Sequence, residues 1–441
     1  MESELLRQLY QGPRSAKELG DILNISQASF SRLAEKVKQV KSVGKGRATR
    51  YIALRNIRGI GYRFPVFEVS QEGECTLAGE LSAFQTQGFA LEKINDGTPE
   101  IYRGLPFFLT EARPQGFLGR SFSHRNQDLN FPQRLQDWTE DDFIEAIVRR
   151  GEDAAGNLIV GEESFRRYQQ LLARPMTPIK EKDTHAFYVR AADDALQGIV
   201  PGSSAAGEQP KFTAVIEEAG KPAHVLVKFS PSNQDPLATR WKDLLIAEHL
   251  ALKTLADHGV SSSRSKIIEK NHRVFLEVLR FDRVGAHGRI GLISLGALDD
   301  QWFGSRDDWV LASRRLKEQK SLSSKDASLL RLLYSFAGLI ANTDTHFGNI
   351  SFFWELGARA VQLAPVYDML PMLYAPVEDQ FTEREFTPPP PHAYAMGERR
   401  QAIPMAIEFW KRVAADERIS ENFRTIAKSN QEKVHALLKQ A

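Results

Sequence analysis

The sequence predicts an α+β protein of 441 residues in successive parts: a small basic helical module with a hairpin, a β-rich segment, and a larger body. Three observations carry that expectation. The first 58 residues hold 12 Lys or Arg against 5 Asp or Glu, a charge of +7, while the whole chain is only +2. Residues 64–69 and 80–84 alternate apolar and polar side chains as half-buried strands do. Downstream, a small-residue loop precedes a strand hairpin, and Asp344, Asn349 and Asp368 are distributed around two further apolar runs. With 42% hydrophobic residues, this length is enough for about three domains.

The first part, residues 1–58, reads as a winged helix-turn-helix. Ser15-Ala16-Lys17-Glu18 is a capping box that opens a short helix to Leu23. Asn24-Ile25-Ser26 then makes a turn, and Ser26 caps a second helix to about Val37. Leu33 and Val37 face the core, which leaves Gln27, Ser29, Arg32 and Lys36 outward, where such a helix meets the major groove. Residues 38–43 and 44–52 read as a hairpin whose Gly-rich tip carries Lys45, Arg47 and Arg50. The remainder of the chain is about −5, and this asymmetry together with the basic tip favours nucleic acid over a protein-contact role. A winged helix by itself fixes neither.

Residues 59–155 form the β-rich subdomain, with a capped helix expected from Thr139 to Arg150. Its chemistry is not legible in the residue types.

Residues 156–285 contain the small-residue run from Pro201 to Lys211, placed just before a strand at 212–216. Small side chains let backbone amides approach a polyphosphate, and Lys211 adds charge. A turn at Glu218-Ala219-Gly220-Lys221 leads into the alternating strand 224–229, which carries Lys228 near its end. The helix from Trp241 to His258 offers Glu248 as the carboxylate to hold that lysine. Loop, hairpin, strand Lys and helix Glu follow the order in which kinases supply the phosphate cover and the α/β-phosphate lysine.

Residues 286–441 carry Asn342-Thr343-Asp344-Thr345-His346-Phe347-Gly348-Asn349. Phosphoryl transfer needs a carboxylate that accepts the hydroxyl proton, and Asp344 is that candidate. Five residues later Asn349 offers an amide oxygen, a hard ligand suited to magnesium. Two strands joined at Glu355-Leu356-Gly357 then bring Asp368, a second metal carboxylate, beside the loop. His346 reads as a structural hydrogen-bonding residue, because the proton acceptor is already supplied. Met405, Phe409, Trp410 and Val413 have helical spacing and pack a core. Residues 387–391, Thr-Pro-Pro-Pro-Pro, read as a stiff loop.

Together the loop from Ser204 to Lys211, the run Arg280-Phe281-Asp282-Arg283, the segment from Asp344 to Asn349 and the closing Tyr367-Asp368 resemble the HipA family of serine/threonine protein kinases, over roughly residues 60–441. The resemblance implies a HipA-type, two-lobed protein-kinase-like fold and a toxin of a type II toxin-antitoxin system that uses ATP and Mg2+. Ser204 matches the family's autophosphorylated loop serine. Ala206, Gly207, Glu208, Gln209, Pro210 and Lys211 match its nucleotide-covering stretch, Lys228 its phosphate lysine and Glu248 its helix acid. Leu279, Arg280 and Phe281 fall at the adenine-gripping hinge. Asp344 matches the catalytic base, Asn349 and Asp368 the magnesium ligands, and His346, Phe347, Gly348 and Tyr367 complete the nucleotide site. Pro210, Leu279 and Gly348 depart from the family's usual Glu, Glu and basic residue, and none of these removes a catalytic group.

The resemblance further implies a protein substrate, the family's known kind being an aminoacyl-tRNA synthetase, and a separate antitoxin as partner. DNA is the partner expected for the amino-terminal module. Two alternatives stand beside this: a small-molecule phosphotransferase of the aminoglycoside kind, and a transcriptional regulator with a silent kinase body. The Ser204 loop disfavours the first, and retention of Lys228, Asp344, Asn349 and Asp368 together disfavours the second. A single cysteine, Cys75, excludes an internal disulfide framework. With no signal peptide and no apolar run of about 18 residues, a cytoplasmic protein is expected.

Overall fold

A computed structural model describes residues 1–94, 96–197, 209–377 and 384–439. The chain is mixed α+β and divides into two compact units. One comprises residues 1–114, 128–176 and 287–289; the other comprises 115–127, 177–286 and 290–441.

The first unit opens with α1 (Glu2–Leu9), α2 (Ala16–Leu23) and α3 (Gln27–Lys36), followed by the antiparallel pair β1 (Val40–Val43) and β2 (Arg50–Ala53). Local chemistry sets the helix starts. Ser15 and Glu18 form a reciprocal capping box, and the Ser26 hydroxyl accepts from the amide of Ser29. Leu5, Leu9, Leu19, Phe30, Leu33 and Val37 make the core of this module. Helix α1 carries no motif in the sequence beyond Leu5 and Leu9 at i, i+4, which is too short a stripe to predict a helix alone.

Next comes an antiparallel five-stranded sheet in the order β6-β5-β4-β3-β7, built from β3 (Arg63–Val69), β4 (Cys75–Phe84), β5 (Gly88–Lys93), β6 (Glu100–Arg103) and β7 (Leu158–Val160). The hairpin β1–β2 does not stand free of this sheet. Val43 and Ile52 are buried with Phe84 and Ala90, and the Lys45 amide donates to the Gly97 carbonyl at 2.7 Å. Lys41 reaches Glu80 and Glu92, both at 2.6 Å, while Arg55 meets Asp141 and Arg58 meets Asp142 and Glu145. Three of the twelve basic residues that give residues 1–58 their charge are thus neutralised inside the fold. The helix Glu140–Arg150 supplies the partners of Arg55 and Arg58 and starts on a capping box at Thr139.

In the second unit the sheet order is β10-β11-β9-β8, with β8 (Lys211–Glu218), β9 (Lys221–Phe229), β10 (Ser265–Lys270) and β11 (Arg273–Leu279). The β8–β9 turn has Ala219 and Gly220 both at positive φ, 49° and 75°, as a two-residue hairpin requires. Tyr188 and Ala192, from the helix Glu181–Gln197, pack on Phe212, Val227, Phe229 and Phe275. The rest is largely helical. Helices Ser324–Leu339, Met396–Ala415 and Glu421–Ala436 bury Phe336, Phe409, Trp410, Val413 and Phe423, and the Trp410 indole donates to the Leu339 carbonyl at 3.0 Å. Three short antiparallel strands, Leu292–Ser294, Ser351–Phe353 and Gln362–Leu363, frame the loop from Ala341 to Ile350. Among the described residues no helix is long and apolar enough to cross a membrane.

Candidate active site

The alternation of β9 turns Lys228 inward, and register pairs it with Lys211 on β8 and with Leu276 on β11. Facing it is the helix Pro236–Asp257. Asp235 caps that helix by accepting from the Ala238 amide at 2.7 Å, and Pro236 occupies its first position. Glu248 lies on its buried side with Leu244, Leu245, Ala251 and Leu252.

Lys228 and Glu248 meet as a fully buried pair, with Nζ donating to both carboxylate oxygens at 2.7 and 2.8 Å. Lys228 also bonds the Asp368 carboxylate. Burial by itself disfavours the Lys228 ammonium, yet the charges of Asp368 and Glu248 raise its pKa above the ordinary lysine value. Burial pushes the Glu248 carboxyl up despite Lys228, with Asp368 adding repulsion. Burial opposes ionisation of Asp368 too, but Lys228, with Lys211 and His346 behind it, holds its carboxyl at about 2. Asp368 is set deep among protein atoms while its side chain remains 31% exposed, so it is charged and accessible. Its backbone is left-handed, φ 53°, a conformation retained in non-glycine residues where the surroundings impose it.

The loop holding Asp344 is built from its own side chains. Asn342, buried, accepts the Asp344 amide at 2.9 Å and contacts the Met369 sulfur at 3.6 Å, tying the loop to the residue after Asp368. Asn349 donates through Nδ2 to the Asp344 carbonyl at 2.8 Å. Its amide nitrogen is thereby occupied, and Oδ1 is the atom left to act as a ligand. His346 accepts from the Gly348 amide at 3.0 Å, and its Nε2 lies 3.6 Å from Asp344 Oδ1. Trp309 donates to the His346 carbonyl at 3.3 Å, and Phe347 is buried below. Asp344 projects with its side chain 44% exposed.

At the end of β11, Leu279 pairs with Val225, and the Arg280 amide donates to the His224 carbonyl at 2.9 Å. Arg280 forms a two-pronged ion pair with Asp282, which also holds Arg283. The Phe281 ring lies 5.7 Å from Tyr367, whose hydroxyl donates to the Gly348 carbonyl and bonds Ser351. Hinge and loop therefore share one contact chain. Gln209 and Pro210 lead directly into β8. Ser204, Ala206, Gly207 and Glu208 lie outside the described residues.

The donor set fits a magnesium ion. A charged carboxylate and an amide oxygen are hard ligands, and magnesium is commonly held by one or two protein oxygens, the remainder coming from water and substrate phosphates. Among the described residues no cluster of three or more His, Cys, Asp or Glu competes with it.

The other expected surface lies in the first unit. On α3, Gln27, Ser29, Arg32 and Lys36 are all exposed. Lys45 and Arg47 are exposed between β1 and β2, whereas Arg50 is half-buried and donates to the carbonyls of Arg47 and Thr49. Sequence reading missed Asn342 and Trp309 as supports of the Asp344 loop. Asn342, two residues before Asp344, carried the signal of an Asx turn; Trp309 carried none.

This arrangement gathers a buried Lys–Glu pair, a second carboxylate and an Asp-bearing loop in one mixed α+β unit, and the comparisons define the family. Residues 203–439 match the HipA-like C-terminal domain, and residues 60–169 match the middle domain of the YjjJ-like toxins. The chain belongs to the HipA-like family. Within it, the chain is 40% identical to Toxin YjjJ of Escherichia coli (strain K12) over 442 residues, 99% of this chain and 98% of that protein. Its fold is similar to HipA in the Shewanella oneidensis MR-1 complex of HipA, HipB and operator DNA. There the TM-score is 0.54 at 18% identity, over 84% of this chain and 96% of that one.

Proposed function

We propose that this protein is a toxin that acts as an ATP- and magnesium-dependent protein serine/threonine kinase, joined to a DNA-binding winged helix. The observation that carries the reading is the convergence of Lys228, Glu248 and Asp368 on one point of the unit that also presents Asp344 and Asn349. Asp344 accepts the proton of the attacking hydroxyl, and its exposure suits a macromolecular substrate. Lys228, held by Glu248, and Lys211 face the nucleotide phosphates, while Asn349 Oδ1 and Asp368 would hold the metal. When bound, magnesium would neutralise charge on the transferring phosphoryl group. The hinge from Leu279 to Phe281 holds the adenine, and Ser204 is the autophosphorylated residue. A translation component such as an aminoacyl-tRNA synthetase is the protein substrate. Similarity to a HipA solved with HipB and operator DNA supports an antitoxin and DNA as partners.

The test is incubation of purified protein with labelled ATP and magnesium, followed by intact mass and phosphosite mapping. Asp344→Asn and Asp368→Asn should each lower transfer by orders of magnitude, because electrostatic and proton-acceptor contributions dominate this chemistry. Equal autophosphorylation in wild type and both variants refutes the reading.

A further inference from the structure

Within the first unit, a cleft of about 550 Å3 opens between the turn that follows α1 and the β4–β5 hairpin, within the usual size of small-molecule sites. Arg50 from β2 and Arg103 from β6 both line it, and no lining residue is acidic. Elsewhere in this unit Arg55, Arg58, Arg63 and Arg150 each meet a carboxylate within 2.7 Å. Arg50 instead donates to two carbonyl oxygens, which do not neutralise it; Glu18, the acid whose carboxyl feels its charge, is committed to capping Ser15. Arg103 is exposed and forms no ion pair among the described residues.

A second observation comes from the hairpin. Thr86 and Gln87 have φ of 70° and 59°, and Thr86 lines the cleft. Positive φ is what this tight hairpin turn requires, and it sets Thr86 on the cleft wall. Gln11 adds polarity from the other wall: its Oε1 accepts from Arg14, which leaves its N–H groups as donors. Phe84 and Ile101 supply an apolar side.

We propose that this cleft binds a small organic phosphomonoester, its phosphate held by Arg50 and Arg103 and its carbon skeleton laid against Phe84 and Ile101. Guanidinium groups bind phosphate oxygens in paired, charge-assisted hydrogen bonds, and a recessed pocket with one apolar wall selects an organic phosphate over the bare ion. Because Arg50 belongs to the β1–β2 hairpin and Arg103 to the sheet, the ligand bridges the two. All the residues that line the cleft belong to the first unit.

The probe is ribose 5-phosphate, titrated into the full chain in magnesium-free buffer, with inorganic phosphate and a mixed-sequence DNA duplex as the other arms. Hydrogen exchange locates the response. Expected are saturable binding tighter than that of inorganic phosphate, slowed exchange in residues 84–88 and 101–103, and at least about tenfold weaker binding in Arg103→Glu. Arg103 is exposed, so that variant should keep the wild-type urea midpoint, which separates loss of the site from loss of fold. Undiminished binding by Arg103→Glu, no slowed exchange at millimolar ribose 5-phosphate, or slowing by the duplex alone overturns the proposal. The last of these outcomes assigns the cleft to nucleic acid.

Discussion

Replacing Lys228 by Met removes the cation from a point where two carboxylates converge. Lys228 and Glu248 are 3% and 1% exposed, so Glu248 has little water to take the place of the ammonium. Breaking a buried ion pair from one side costs about 3–5 kcal/mol, because the abandoned charge stays buried. Glu248 is already raised by burial and by Asp368, and without Lys228 its carboxyl rises further and takes a proton. The folded variant then binds a proton that the unfolded chain releases above about pH 4.3. Its stability deficit relative to wild type therefore grows with pH above that value, by at most about 1.4 kcal/mol per unit, and levels off above the folded pKa. Lys228→Met/Glu248→Leu removes both charges and should recover at least about 2 kcal/mol while flattening the pH dependence. Urea denaturation followed by tryptophan fluorescence measures this, since five of the six tryptophans belong to the second unit. If the single variant's deficit is the same from about pH 5 to 8, or the double variant is no more stable than the single, Glu248 is not a buried charge that Lys228 sustains.

Three shorter predictions concern the Asp344 loop, the basic module and Ser204. Asn342→Ala removes the acceptor of the Asp344 amide and should lower kcat about 10- to 100-fold with little change in KM for ATP, partly rescued by Asn342→Asp; an unchanged kcat rules out a positioning role. The full chain should bind duplex DNA with affinity that falls steeply with salt, and replacing Lys45 and Arg47 by Ala should flatten the logarithmic slope by up to about 2, at about 0.9 per phosphate contact. The intact chain is the right reagent because Val43 and Ile52 share a core with Phe84 and Ala90; no DNA binding even at low salt, or binding without salt dependence, would instead make the module a protein-contact domain. Phosphorylation of Ser204 adds about −1.5 to −2 charge and should weaken ATP binding; undiminished affinity of homogeneously phosphorylated protein refutes an inhibitory role for that phosphate.

Much of the local structure was legible because it is settled within a few residues. Ser15, Ser26 and Thr139 cap their helices through amides three positions ahead, and Ala219-Gly220 turns the β8–β9 hairpin by its own backbone preferences. The interval from Asp344 to Asn349 is likewise short enough for side chains to close the loop on itself. Exposure of Gln27, Ser29, Arg32 and Lys36 followed from helical periodicity around Leu33 and Val37. The chain order of Lys228, Glu248 and Asp368 suggested partners, but a sequence places no two of them in contact.

What the tertiary structure decided is where charges end. Lys41, Arg55 and Arg58 counted towards a nucleic-acid surface in the sequence, and the fold spends them on Glu80, Glu92, Asp141, Asp142 and Glu145. It likewise sets residues 158–160 beside β3, in the sheet of the first unit, although the sequence placed that stretch in the segment beginning at 156. The reason is physical. Caps and turns depend on backbone geometry repeating every few residues, whereas ion pairs and strand edges depend on which surfaces meet after the chain has collapsed, and Lys228 and Asp368 are 140 residues apart until it does.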